Sequence, residues 1–233
     1  MRRATQRTIA YHPKRNLTRG AQVMKLMLVG ASGLVGQQVL RHALANPAVS
    51  RLIAPTRKPL APARRLDNPI VDFEHLPADA SWWKVDAVIC TLGTTMAQAG
   101  SQAAFRRVDH DYPLAVARLA RAAGASTFVL NSALGADVDS RVFYNRIKGE
   151  VEAAIAGLGY PSLTLVRPSL LDGGRRPDDR PGERVGLWFA GVLRPLLPAR
   201  YRAVATDAVA RTLLAAALAQ PPGVHVMESE RIT

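Results

Sequence analysis

The chain of 233 residues is 48% apolar and 21% charged, which suits one α/β domain and sets aside disordered and fibrous classes. Its longest apolar run, residues 185–193, is half of what a membrane-spanning helix requires, so no membrane span is expected. The net charge of +13 is weighted toward residues 1–23, which hold six basic residues and no acid; the rest carries 25 basic against 18 acidic residues, without the basic and aromatic clustering of a nucleic-acid reader. Residues 1–23 lack apolar periodicity and are broken by Pro13. They read as a disordered extension rather than as a targeting peptide or a tether to an anionic surface. The single cysteine, Cys90, excludes an intrachain disulfide and a cysteine-cluster metal site, and points to a reducing compartment, with a cytoplasmic location the expectation. His12, His42, His75, His110 and His225 are scattered without ligand spacing, so no metal is expected.

From residue 25 onward strand and helix patterns alternate, the signature of a parallel sheet with crossover helices. Residues 25–29 (KLMLV) are a short apolar run ending at a glycine loop. Residues 33–45 follow with helical spacing of Leu34, Val35, Val39, Leu40 and Leu44. Residues 51–54 read as a second strand closed by Pro55, 56–68 as a loop, and 70–73 as a weak third strand. Residues 85–90 (VDAVIC) form a strong fourth strand, followed by the small-residue turn Thr91-Leu92-Gly93-Thr94-Thr95. A long helix fills 102–123, a fifth strand 127–131, a helix 142–158, and a sixth strand 163–166 that stops at Arg167-Pro168. Beyond it come a charged loop at 172–181, a proline-broken apolar helix at 185–197, and an alanine-rich helix at 207–219 with Asp207 as its N-cap. Residues 24–233 thus read as a single doubly wound Rossmann domain, with a C-terminal elaboration from about 169.

Chemistry gathers at three places. The loop Gly30-Ala31-Ser32-Gly33-Leu34-Val35-Gly36 lies between a predicted strand and a predicted helix, where glycines permit a tight turn and let backbone N–H groups approach a pyrophosphate. Gly30, Ser32, Gly33, Leu34, Val35 and Gly36 are the candidate dinucleotide contacts. Arg57 lies 21 residues after Gly36, where an acid would select NAD; with Lys58 beside it and no acid until Asp67, the pattern favours NADP(H) over NAD(H). Arg64 and Arg65 are further candidates for the same phosphate.

The third place is Tyr144-Asn145-Arg146-Ile147-Lys148, which sets a phenol and an ammonium on one helix face. A lysine cation and an oxidised nicotinamide would draw the tyrosine pKa down toward neutrality, as acid–base catalysis needs. Ser132 ends the fifth strand on the predicted ligand edge, where its hydroxyl could polarise a carbonyl. Trp82-Trp83 reads as packing under a loop, Cys90 as a small buried strand residue, Trp188-Phe189 as a lid or core contact, and Glu150 and Glu152 as a solvated helix face.

Together these residues resemble the extended and atypical branches of the short-chain dehydrogenase/reductase superfamily, and within them the Tat-interacting-protein (CC3) type oxidoreductases. The resembling segments are Thr91 to Thr95, Phe105 to Tyr112, Ser132 to Asp137, Tyr144 to Glu152 and Val166-Arg167-Pro168. The resemblance implies a seven-stranded sheet in the order 3-2-1-4-5-6-7, NADPH binding, and a small-molecule substrate held over the carboxyl ends of the strands; a homodimer is compatible with it. It implies Ser132 as carbonyl polariser, Tyr144 as proton donor, and Lys148 as ribose-binding activator. Thr91, Leu92, Gly93 and Thr94 would line the adenine and ribose, and Pro168, Ser169 and Leu170 would run beside the nicotinamide. Two departures stand out. Asp109 occupies the place where many members carry a relay asparagine, and the C-terminal segment is too short for the lobe of sugar-nucleotide epimerases. The implied activity is reduction of a small carbonyl or quinone-like compound; the alternative is an NADPH-binding regulatory or assembly protein with little catalysis.

Overall fold

Seven parallel strands make one sheet in the order β3-β2-β1-β4-β5-β6-β9. The computed structural model describes residues 23–172 and 199–232. In chain order the strands are β1 (Met24–Val29), β2 (Val49–Ile53), β3 (Leu66–Asp67), β4 (Ala87–Cys90), β5 (Thr127–Asn131), β6 (Ser162–Arg167), β7 (Leu171–Asp172), β8 (Val204–Ala205) and β9 (Gly223–Glu228). β7 and β8 pair separately as a two-stranded ribbon. The helices are α1 (Leu34–Ala45), α2 (Met96–Ala99), α3 (Gln102–Arg106), α4 (Tyr112–Ala122), α5 (Phe143–Ala156) and α6 (Thr206–Ala219).

Strand alternation divides the core into two layers, which is why the sheet needs helices on both faces. Along β1, Leu26 and Leu28 join one layer while Met27 and Val29 join the other, and all four are fully buried. β4 repeats the pattern, with Ala87 and Ile89 on the first side and Val88 and Cys90 on the second. The first layer is closed by Val35 and Val39 of α1 and Val209 and Leu213 of α6. The second is closed by Val116 and Ala117 of α4 and Val151 and Ile155 of α5, with Phe73 and Trp83 beneath the loops. Each buried side chain of this size contributes about 1.5–3 kcal/mol. Trp83 donates its indole N–H to Pro77 O at 2.7 Å, in keeping with a packing role.

Several expectations need correction. The third strand is Leu66–Asp67, not residues 70–73; Ile70 makes only an isolated bridge to Thr56, and Phe73 turns into the core. The helix expected over 102–123 holds a π-turn, Arg107–Asp111, between α3 and α4. The seventh strand that the resemblance implies is present at the expected edge as β9, half-exposed and without a marked apolar run. Asp207 is not the N-cap of α6, a position held by Ala205; it sits in the first turn and binds His42 at 2.7 Å and Arg41 at 2.8 Å on α1, and Arg211 one turn on. The helix expected at 185–197, Trp188-Phe189, most of the charged loop and residues 1–22 lie outside the described residues. No helix among the described residues is long and apolar enough to cross a membrane.

Candidate active site

β1 ends at the glycine loop because only glycine fits there. Gly30 has φ +89°, and a Cβ on it would lie 2.7 Å from the Thr91 backbone. A Cβ on Gly36 would lie 2.0 Å from Gly30 O, so the first turn of α1 can cross the loop only without a side chain. Gly33 closes the turn, its N–H bonding Gly30 O at 3.0 Å, and serves as N-cap of α1. A Cβ there would meet only Gly30 O, at 3.4 Å, so this side of the turn is open. Thr91, leaving β4, donates its hydroxyl to Val29 O at 3.1 Å and Gly30 O at 3.2 Å, pinning the two strand ends together. The result is a backbone cradle at a helix N-terminus, which fits a pyrophosphate.

Two adjoining clefts share Ser32, Gly33 and Thr91 to Thr94. One, of about 510 Å³, reaches Arg57, Phe73 and Tyr112; the Phe73 and Tyr112 rings stack at 5.6 Å. The other, of about 650 Å³, reaches Leu34 and Val35 on α1, Asn131 and Ser132 at the end of β5, Tyr144 and Lys148 on α5, and Pro168 to Leu171 after β6. Of the expected contacts, Gly36, Lys58 and Arg64 line neither cleft. Arg65 is corrected: its guanidinium binds Val49 O at 2.7 Å, Asn46 O at 3.3 Å and Leu44 O, and so caps the carboxyl end of α1 instead of facing a phosphate.

The larger cleft brings the expected chemical groups together. Ser132 is buried and its hydroxyl has no hydrogen-bond partner within the described protein, while its backbone N–H is tied to Val166 O at 2.7 Å. Tyr144, 37% exposed, rests on Phe105 with ring centroids 5.6 Å apart. One turn on, Lys148 is buried with Nζ 2.7 Å from Asp109 Oδ1. The π-turn carries Asp109, and its Oδ2 accepts the Thr94 N–H at 2.8 Å.

The protein's own groups hold the Tyr144 phenol above its usual pKa; the lowering expected from the sequence invoked an oxidised nicotinamide as well as Lys148. Burial is the largest cause, Asp109 adds to it, and Lys148 opposes both. Burial pulls Lys148 down, but Asp109 and Tyr144 more than offset this and leave it raised. Cys90 lies behind this group, its thiol pushed up to about 12 by burial, and so stays neutral.

Neighbouring groups brace α5. A Cβ on Gly149 would lie 2.3 Å from the Asp137 carbonyl carbon, so the loop after Ser132 packs directly on the α5 backbone. Glu152 is not part of a solvated face: it is buried and grips Arg167 at 2.5 and 3.0 Å, and Arg167 also holds Glu228 of β9 at 3.1 Å. Glu150 pairs with Arg106 and, at 4.0 Å, with Arg146. The direct Asp109–Lys148 contact, Asn131 in the cleft wall and the Phe73–Tyr112 stack were not legible in the sequence. The only signal was the aspartate standing where an asparagine was expected.

No family model matches the chain. It is 37% identical over 176 residues to protein fmp52, mitochondrial, of Emericella nidulans, an alignment covering 71% of this chain and 74% of that one. It is 35% identical over 198 residues to protein HTATIP2 of Rattus norvegicus, covering 83% and 81%. Among solved structures, MoeE5 in complex with UDP-glucose and NAD is similar in fold, with a TM-score of 0.64, 17% identity, and coverage of 87% of this chain and 74% of that one. The oxidoreductase ylbE from Lactococcus lactis is similar with a TM-score of 0.61 and 17% identity, covering 88% and 91%. The fungal relatives are named mitochondrial, which overturns the expectation of a cytoplasmic location drawn from the single cysteine; a reducing environment is not peculiar to one compartment. The sequence likeness to fmp52 and HTATIP2, on a seven-stranded doubly wound sheet, shows that the chain belongs to the HTATIP2 (CC3) type of the atypical short-chain dehydrogenase/reductase family.

Proposed function

We propose that the protein is a nicotinamide-dinucleotide-dependent reductase of a small carbonyl or quinone-like compound, with NADP(H) as its cofactor. The observation that carries this reading is the convergence of Ser132, Tyr144 and Lys148 on the cleft that the glycine loop also lines. Gly30 and Gly33 would cradle the pyrophosphate, with Gly36 letting α1 cross close to the loop, and Arg57, which shares a cleft with them, would meet the 2′-phosphate. When bound, the reduced nicotinamide supplies a hydride to the substrate carbonyl carbon. The unpartnered Ser132 hydroxyl donates a hydrogen bond to the carbonyl oxygen and orients it. The Tyr144 Oη–H then delivers its proton to that oxygen. Lys148 stands one turn from the phenol, ion-paired with Asp109, and its ammonium N–H groups would bind a ribose hydroxyl.

Two measurements test the proposal. In fluorescence titrations, Arg57→Ala weakens NADPH about tenfold or more while leaving NADH unchanged, the loss of a charge-assisted contact worth about 1.5–3 kcal/mol; equal weakening of both cofactors sinks the phosphate assignment. In a panel of quinones, aldehydes and ketones followed by NADPH absorbance, Tyr144→Phe lowers turnover of any substrate found by about 10²–10⁴-fold. Tight NADPH binding with no oxidation across the panel assigns the chain instead to NADPH-responsive regulation.

A further inference from the structure

The π-turn between α3 and α4 aims one carboxylate at two donors. Asp109 Oδ1 lies 2.7 Å from Lys148 Nζ, and Oδ2 accepts the Thr94 N–H at 2.8 Å. The Asp109 and Lys148 side chains are 1% and 5% exposed. Oδ1 has no partner besides Lys148 among the described residues. Gly93 abuts the pair: a Cβ there would sit 3.4 Å from Oδ1 and 3.9 Å from Nζ. Because both partners are donors, an asparagine at 109 could satisfy one of them and would turn its own N–H₂ toward the other. Only a carboxylate fits both.

The pairing bears on Tyr144, which stands one turn before Lys148. An unpaired buried ammonium beside a phenol favours the phenolate, whereas an ammonium neutralised at 2.7 Å does so far less. Lys148 and Asp109 are the charged groups that act on the Tyr144 phenol. Ser132 is neutral, Cys90 is a neutral thiol, and Arg106 of α3 and Arg146 of α5 are both paired with Glu150. On the turn itself, His110 pairs with Asp111.

We propose that Asp109 is a positioning residue that neutralises Lys148 and so keeps the Tyr144 phenol protonated, fitting the site to donate a proton rather than to accept one. The inference rests on the reductase reading above and gives it a direction. In reduction, the C–H bond forms from the reduced nicotinamide's hydride as the carbonyl π pair takes the Tyr144 proton; the cofactor ends oxidised, and the phenolate recovers a proton from solvent. The reverse, alcohol oxidation, starts from the phenolate and needs alkaline conditions while Asp109 is in place. The raised phenol described above agrees with this direction.

The test reads ionisation without turnover. Phenolate formation is followed by ultraviolet difference absorbance across a pH titration of the protein, with Tyr144→Phe subtracted to isolate Tyr144. In Asp109→Asn and Asp109→Ser, the Tyr144 midpoint is expected to fall by about one pH unit or more, the size of effect a nearby charge exerts. In Asp109→Asn with Lys148→Met, the fall is expected to vanish, because the uncompensated cation that causes it is gone. An unchanged midpoint in a folded Asp109 variant overturns the proposal, as does a fall that survives Lys148→Met. Loss of the fold in both single variants, read by circular dichroism, also overturns it and assigns the pair to stability alone. If the shift appears but NADPH is never turned over, the electrostatic coupling stands and the reductase reading fails separately.

Discussion

Arg65 donates to the carbonyls of Leu44, Asn46 and Val49, the unsatisfied acceptors at the carboxyl end of α1 and in the turn after it. Arg57, eight positions earlier, lines the smaller cleft beside the glycine loop. Composition treats these two guanidiniums alike, and the sequence makes both candidates for the same phosphate. Their tasks separate because Arg65 adopts a left-handed φ of +68°, which carries it back under the helix end. Arg65→Ala is therefore expected to cost about 1.5–3 kcal/mol, the range for hydrogen bonds to a charged group, and to leave NADPH affinity unchanged. Thermal melting combined with a cofactor titration checks this; a fall in NADPH affinity with an unchanged Tm would reverse the assignment. Tyr144 and Lys148, by contrast, were legible from spacing alone, since one helical turn fixes their shared face.

Between elements, the site depends on close backbone approaches that no periodicity encodes. The loop after β5 meets α5 at Gly149, where an added Cβ would stand 2.3 Å from the Asp137 carbonyl carbon and 2.4 Å from Val138 N. Alanine is intrinsically the better helix former by about 1 kcal/mol. Here the clash outweighs that gain, because overpacking against backbone costs about 1–3 kcal/mol and cannot be relieved by a rotamer change. Gly149→Ala is expected to lower Tm by several degrees and to reduce turnover, since the same loop begins at Ser132; a raised Tm would show that the loop yields. The π-turn is a second case. Its sequence carries no mark that separates it from ordinary helix; the wider turn shows only in the folded backbone, which carries the Asp109 that pairs with Lys148. The two-residue strand β3 is too short to show alternation in the sequence, and the half-exposed edge strand β9 has no apolar run to mark it.

Across the molecule, Asp207 of α6 joins that helix to α1 by contacting Arg41 and His42, and it also pairs with Arg211 one turn on in its own helix. Its carboxyl is held below the usual range, chiefly by the hydrogen bond from His42, with Arg211 and Arg41 contributing and desolvation opposing. A depressed carboxylate pKa stabilises the fold above the unfolded value, near 4, and the contribution fades as pH falls through the folded value. The stability advantage of wild type over Asp207→Asn should thus be present at neutral pH and disappear in acid; chemical denaturation at several pH values measures it, and a constant difference would refute the linkage. The doubly wound class, the glycine loop and the Tyr144–Lys148 face could be read from the chain because each rests on short-range spacing: a strand, a turn and a helix carry their own periods. Packing was needed to show that Asp109 neutralises Lys148, that Arg65 caps a helix, and that Glu152 is buried under Arg167. Those pairs lie far apart along the chain, and nothing but close packing of one element on another brings their charges within reach.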